Sequence, residues 1–189
     1  MSRNIFISFL GTNNYLPTNY LLADHKYENE GGPGLKECFS LLSTFSIQPI
    51  VDRLHLLRWV VYNYLIGNND AHAKNLAILF PGGRSVLAPF YDMLCTQVYE
   101  DLSEKMAMKI GGEIRHNHVY LKHWERLALG AEIKPRIVME LIKEYSVKVL
   151  KEAEDLAQIF STSYGGRAVV DAVLEVIRMN SARTGKLLS

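Results

Sequence analysis

The sequence predicts a mainly α fold, α+β in class, that carries one small β-hairpin. Three observations predict it. Apolar residues recur at helical spacing in three separate stretches, the first opening at Pro49, the second at Pro135 and the last around Val169. Between the first two, short apolar runs flank Pro81-Gly82-Gly83-Arg84, the pattern of a hairpin. And 48% of the 189 residues are hydrophobic, enough for a real core, since a chain this long buries roughly 70% of its unfolded surface.

Taken in order, residues 1–33 read as the least regular segment, rich in Asn, Gly and Tyr, and Gly31-Gly32-Pro33-Gly34 ends them as a strong breaker. We set a domain boundary there: an irregular N-terminal remnant over 1–33 and a lobe over 34–189. A short helix is expected from Leu35 to about Thr44. Ser46 and Pro49 mark the next start, because proline is tolerated in a first helical turn. Ile50, Val51, Leu54, Leu57, Val61, Tyr64 and Leu65 follow at helical spacing, and Gly67 supplies the left-handed residue that stops a helix. Then come the polar loop 68–75, a strand Leu76–Phe80, the turn, and a strand Ser85–Ala88. Lys105–Ile110 reads as a further short strand. The long helix from Pro135 carries Val138, Leu141, Ile142, Tyr145, Val149, Ala153, Leu156 and Phe160, and Gly165-Gly166 breaks it. A last helix carries Val169, Ala172, Val173, Val176 and Ile177.

Composition excludes several classes of function. With 21 Lys+Arg against 20 Asp+Glu the net charge is +1, so no global field announces a nucleic acid. The two cysteines, Cys38 and Cys95, form neither a metal-ligand run nor a disulfide framework. Reduced thiols in the cytoplasm are the simplest reading. The longest apolar runs, Ile5–Leu10 and Trp59–Ile66, fall far short of the ~20 residues that span a bilayer, and no signal-peptide pattern opens the chain.

The hairpin is the informative feature. A four-residue turn sets Phe80 opposite Ser85 and runs the pairing back until Asn75 lies near Phe90. The open end then brings Asn75 close to Asp92. Asp70 stands five positions before Asn75 on the same loop. An Asn and an Asp at one rim suit Mg²⁺, a hard cation that takes oxygen ligands. A carboxylate beside them can accept the proton of an incoming hydroxyl. Protein kinases divide the labour in this way.

Gly67-Asn68-Asn69-Asp70-Ala71-His72-Ala73-Lys74-Asn75 resembles the G-N-x-D-x-H-x-K-N signature of HipA-type serine/threonine kinases, the toxins of bacterial toxin–antitoxin pairs. Leu87-Ala88-Pro89-Phe90-Tyr91-Asp92 resembles the L-x-P-x-Y-D segment that follows it there. Lys26-Tyr27-Glu28 running into Gly31-Gly32-Pro33-Gly34 resembles a segment upstream, and Met106-Ala107-Met108-Lys109-Ile110-Gly111-Gly112 one downstream. The resemblance implies a kinase-like C-lobe with its β-hairpin at the active rim. It implies ATP and Mg²⁺, with Asp70 as catalytic base, Asn75 and Asp92 as metal ligands, and His72, Lys74 and Tyr91 along the ATP site. It also implies a protein-serine substrate of the glutamyl-tRNA synthetase class and a helix-turn-helix antitoxin as partner. The family's phosphate-binding loop and nucleotide-pairing Lys lie upstream of the Lys26 segment. The chain therefore resembles the C-terminal part of such a protein, and weak or absent activity is expected unless another chain supplies the ATP lobe.

Two other readings compete. One keeps phosphotransfer but gives it a lipid or small-molecule substrate. The other is a non-enzymatic interaction subunit or inactive remnant of a split kinase. His116, His118 and His123 read as an exposed polar loop rather than a metal site, with the first two at strand spacing. Lys105, Lys109, Arg115, Lys122 and Arg126 read as a solvated face, and Trp59, Tyr62 and Tyr64 as packing beneath the loop.

Overall fold

The computed structural model describes residues 8–10, 25–80, 84–164 and 168–187. Five helices dominate it: α1 (Leu35–Phe45), α2 (Pro49–Ile66), α3 (Leu121–Gly130), α4 (Pro135–Tyr164) and α5 (Ala168–Leu187). Five short strands complete it: β1 (Ser8–Leu10), β2 (Ala77–Leu79), β3 (Val86–Leu87), β4 (Lys105–Ile110) and β5 (Glu113–Arg115). The proposed turn residues 81–83 and the breaker Gly165-Gly166 lie outside the described residues.

α2 is the central helix, and α1, α4 and α5 all pack against it. Leu56, Leu57, Val61 and Leu65 are completely or almost completely buried, and Trp124, Val138 and Ile142 close over them from α3 and α4. The helical periodicity misjudges one end of α2. Ile50 is 72% exposed and Val51 45% exposed, because that side of the first turn is left uncovered while Asp52, in the same turn, is buried. Leu156, Ile159, Phe160 and Val169 also remain exposed, around an apolar groove of about 800 Å³ between α4 and α5.

The expected hairpin forms with the expected register. Ile78 faces Leu87 and Leu79 faces Val86, and the Ala88 amide donates to the Ala77 carbonyl at 2.8 Å. A third strand was not foreseen. β1, from the segment read as irregular, pairs in parallel with β2, setting Ser8 against Ala77. Three residues are too few for a period-2 pattern to stand out from sequence.

β4 is paired as well. Gly111 (φ 55) and Gly112 (φ 91) make a two-residue turn with both residues left-handed, and β5 returns antiparallel, Ile110 against Glu113. Gly111 has a second constraint, since a Cβ there would stand 1.9 Å from the His123 carbonyl oxygen.

The histidine reading is corrected. His116–His118 form a 3-10 turn rather than a strand, and His116 and His123 are buried, not exposed. His116 Nε2 donates to the Tyr64 carbonyl at 2.8 Å, and its ring stacks on Tyr64 at 4.1 Å. His123 Nδ1 accepts from the Tyr120 amide at 2.9 Å. Both are core groups satisfied by backbone, and no metal-binding group of His, Cys, Asp and Glu occurs among the described residues. In the basic stretch, Lys109 pairs with Glu28 and Arg115 with Glu113.

Candidate active site

Gly67 (φ 73) ends α2 in the left-handed conformation that the sequence anticipates. It is also boxed in: a Cβ would meet Val176 Cγ1 at 2.7 Å and Gln97 Oε1 at 2.8 Å. The chain then turns through three consecutive polar side chains, each with separate work.

Asn68 is buried. Its Nδ2 donates to Asn63 Oδ1 at 2.8 Å and to the Asp92 carbonyl at 3.2 Å, while its Oδ1 accepts from the Asp70 amide at 3.1 Å. One amide thus ties the loop to the helix before it and to the segment after the hairpin. Asn69 faces the other way. Its Nδ2 donates to the Ser103 carbonyl at 3.2 Å, and its own carbonyl accepts from the Ala107 amide of β4 at 2.7 Å. Asp70 is more open, its side chain 39% exposed. Its Oδ2 accepts from Lys26 Nζ at 2.8 Å and its Oδ1 from Tyr27 OH at 3.0 Å.

Asn75 and Asp92 meet as the hairpin register requires. Asn75 Nδ2 donates to Asp92 Oδ2 at 2.7 Å, and Asn75 Oδ1 accepts from the His72 amide at 3.0 Å. Asp92 holds φ 59, an uncommon conformation for a residue with a side chain. Its contacts with Asn68 and Asn75 hold it there. Such strain is characteristic of functional positions.

The remaining candidates take up distinct places. His72 is buried, and its Nδ1 has no hydrogen-bond partner. Burial lowers its pKa and the nearby Lys26 charge lowers it further, against the pull of Asp70 and Asp92, so the ring is neutral at pH 7. Tyr91 is half exposed, and its OH donates to the Lys74 carbonyl at 2.8 Å. The Lys74 ammonium makes no ion pair among the described residues. Trp59 packs against Phe90 at 5.9 Å and Tyr64 against Trp124 at 5.1 Å, so both serve as packing under the loop.

Several residues at the site were not assigned a role from sequence. Lys26, Tyr27 and Glu28 are bonded into it: Glu28 Oε2 accepts from the Lys109 amide at 2.6 Å and its Oε1 lies 3.4 Å from Lys109 Nζ. The segments that carried the family resemblance are therefore one connected network. Their spacing was the available signal. Asn180 on α5 had none. It donates to the Leu65 carbonyl and to Gln97 Oε1, both at 3.3 Å, and Gln97 Nε2 in turn donates to Asn69 Oδ1 at 3.2 Å.

A groove of about 420 Å³ opens beside Asp70. Lys26, Tyr27, Asn69, Leu102 and Met106 line it with Asp70, whereas Asn75 and Asp92 do not. Asp70 thus borders this groove, and Asn68 links its backbone amide to the Asp92 carbonyl.

Residues 3–153 match the family described as HipA-like C-terminal domain. The chain belongs to that family. Among its HipA-like relatives, the kinase-named protein Y4mE of Sinorhizobium fredii is 37% identical over 142 residues, 73% of this chain and 34% of that protein. The serine/threonine-protein kinase toxin HipA of Shewanella oneidensis is 31% identical over 105 residues, 50% of this chain and 24% of the toxin. Among solved structures, the HipA, HipB and operator DNA complex of Shewanella oneidensis superposes with a TM-score of 0.70 at 21% identity, covering 83% of this chain and 36% of that one. This likeness shows the HipA kinase-like fold. The chain spans about a third of the length of the curated HipA-like relatives it matches. No described helix is long and apolar enough to cross a membrane.

Proposed function

We propose that this chain is the catalytic C-terminal lobe of an ATP-dependent serine/threonine protein kinase of the HipA toxin type. The contact between Asn75 and Asp92, 2.7 Å apart and beside Asp70, carries the reading. The donor set fits a hard cation. Asp92 Oδ1 has no bond among the described residues, and Asn75 Oδ1 keeps a lone pair beyond its bond to His72. Asn75 and Asp92 would hold Mg²⁺, which when bound neutralises charge on the ATP phosphates.

Asp70 acts on the acceptor. Its carboxylate orients the substrate hydroxyl and takes its proton. The hydroxyl oxygen bonds to the γ-phosphorus, and the bond from that phosphorus to the bridging oxygen breaks, its electron pair leaving with ADP. Positioning supplies most of the rate in such transfers, which suits a base fixed by a network rather than mounted on a free loop. His72, Lys74 and Tyr91 border the nucleotide in this reading. The free thiols Cys38 and Cys95 suit a cytoplasmic setting. The substrate is a protein serine, of the glutamyl-tRNA synthetase class by family, and the partner a helix-turn-helix antitoxin. The glycines of the sequence form no G-x-G-x-x-G phosphate loop, so a lobe that clamps the phosphates would complete the site.

Titration of the complete protein with Mg·ATP tests the reading. Binding that weakens at least tenfold in Asp92→Asn, together with transfer of labelled γ-phosphate to a protein serine or threonine, is expected. Equal Mg·ATP affinity in wild type and Asp92→Asn overturns the site.

A further inference from the structure

We infer that Lys26 and Tyr27 are positioning residues for Asp70, a bracket that turns its carboxylate toward the acceptor groove. The inference rests on the reading of Asp70 as the base. The Asp70 backbone is set by Asn68, but neither carboxylate oxygen is bonded within its own loop. Both are held from 44 and 43 positions upstream, one oxygen by each residue.

The bracket is itself firmly mounted. The Tyr27 carbonyl accepts from the Glu30 amide at 3.0 Å and the Gly32 amide at 2.9 Å, and Gly31 makes the turn at φ 92. Glycine is required at 32, whereas a side chain at 34 would displace the end of Glu28. A Cβ on Gly32 would stand 2.7 Å from the Tyr27 carbonyl oxygen, and one on Gly34 2.8 Å from the Glu28 carboxyl carbon. Glu28 is anchored on Lys109, so the segment is fixed to β4 on one side and to Asp70 on the other.

The arrangement suits guidance of a base better than stabilisation of a fold. Lys26 and Asp70 are 37% and 39% exposed, and ion pairs that open to water add little to stability. Partial burial works against the Lys26 charge, but its bonds to Asp70 and Tyr27 outweigh this and keep its pKa above the ordinary value. A carboxylate has about four acceptor positions. Lys26 and Tyr27 occupy two, and the carboxylate still borders the groove, so a hydroxyl can reach it without breaking the bracket.

Single-turnover phosphoryl transfer by the complete protein tests this in wild type, Lys26→Met, Lys26→Arg, Tyr27→Phe, Asp70→Asn and Lys26→Met/Asp70→Asn. We expect Lys26→Met to slow transfer roughly 10–100-fold at unchanged Mg·ATP affinity and nearly unchanged melting temperature. Lys26→Arg should restore part of the rate, and the double variant should be no slower than Asp70→Asn alone, because Lys26 acts through Asp70. In the nucleotide-free chain, Lys26→Met and Tyr27→Phe should each shift the Asp70 carboxyl ¹³C resonance and leave that of Asp92 in place. Full-rate transfer by Lys26→Met beside a collapsed Asp70→Asn, or an unmoved Asp70 resonance, overturns the inference alone. Full-rate transfer by Asp70→Asn, or none by the wild type, overturns the kinase reading and the inference with it.

Discussion

Asp52 accepts a hydrogen bond from the Leu87 amide at 2.8 Å, and so ties the first turn of α2 to the strand that leads to Asp92. The carboxylate is fully buried and takes two more bonds, from Ser46 Oγ at 2.6 Å and Gln48 Nε2 at 2.9 Å. A buried carboxylate with three donors is a fixed junction, and it lies between the helix start and the hairpin that forms the rim.

Asp52→Ala strands three donors, two of them on a helix start and one on a strand. It should cost roughly 2–4 kcal/mol in urea unfolding. Asp52→Asn keeps an acceptor and should cost less. Equal stability of wild type and Asp52→Ala would remove this junction from the account.

The β4–β5 turn should be intolerant of any side chain at Gly111. A methyl group there collides with the His123 carbonyl and also demands a left-handed residue, so Gly111→Ala should lose roughly 2 kcal/mol or more. Gly112 has open space around it and pays only the backbone term, about 1 kcal/mol. Comparison of the two melting temperatures separates collision from conformation. Similar losses would mean that the His123 backbone simply yields.

Acid should destabilise the fold through His116. Burial, with help from the Arg183 charge, brings its pKa down to about 4, although the bond to the Tyr64 carbonyl opposes the shift. The neutral ring donates from Nε2, and its bare Nδ1 faces Arg183 Nη2 at 3.3 Å, so a second ring proton would meet a cation. The unfolded chain takes that proton near the ordinary value of about 6.5, before the folded chain can. Stability is therefore complete above pH ~6.5 and falls as the pH drops toward 4, by an amount on the order of 3 kcal/mol. Urea midpoints at pH 7, 5.5 and 4.5 measure it. His116→Gln should flatten the decline, and an unchanged slope in that variant would assign the acid sensitivity to other groups.

Asp70→Asn keeps the shape of the loop but removes the base, so turnover in the complete protein should fall roughly 10²–10⁴-fold with Mg·ATP binding little changed. Asp92→Asn should instead weaken Mg·ATP binding itself. Rate and affinity measured on both variants separate base from ligand. Loss of nucleotide binding in Asp70→Asn would mean that the roles within the loop are misassigned.

The rim was legible in the sequence because its parts obey local rules. Gly67 stops α2, a polar loop follows, and a hairpin of fixed register returns the chain, so Asn75 and Asp92 meet by counting alone. The histidines show where such rules fail. A neutral His116 on a backbone carbonyl and a solvated His116 look identical in one dimension, since burial depends on α2, α3 and α5 arriving around it. The exposed Ile50 and Val51 fail for the converse reason: a periodic apolar face says what could be buried, and the neighbouring helices decide how far the cover extends.

The sequence by itself determined helices α1, α2, α4 and α5, the β2–β3 register, the stop at Gly67 and the order Asp70, Asn75, Asp92, all consequences of dihedral preference and short-range spacing. Only the tertiary structure decided which side chains hold those residues. Lys26 and Tyr27 reach Asp70 across more than forty positions. Asn180 braces the end of α2 across 115. β1 lies against β2 from the far end of the chain. A contact between distant segments depends on how packed elements are placed in space, and no local periodicity records that placement.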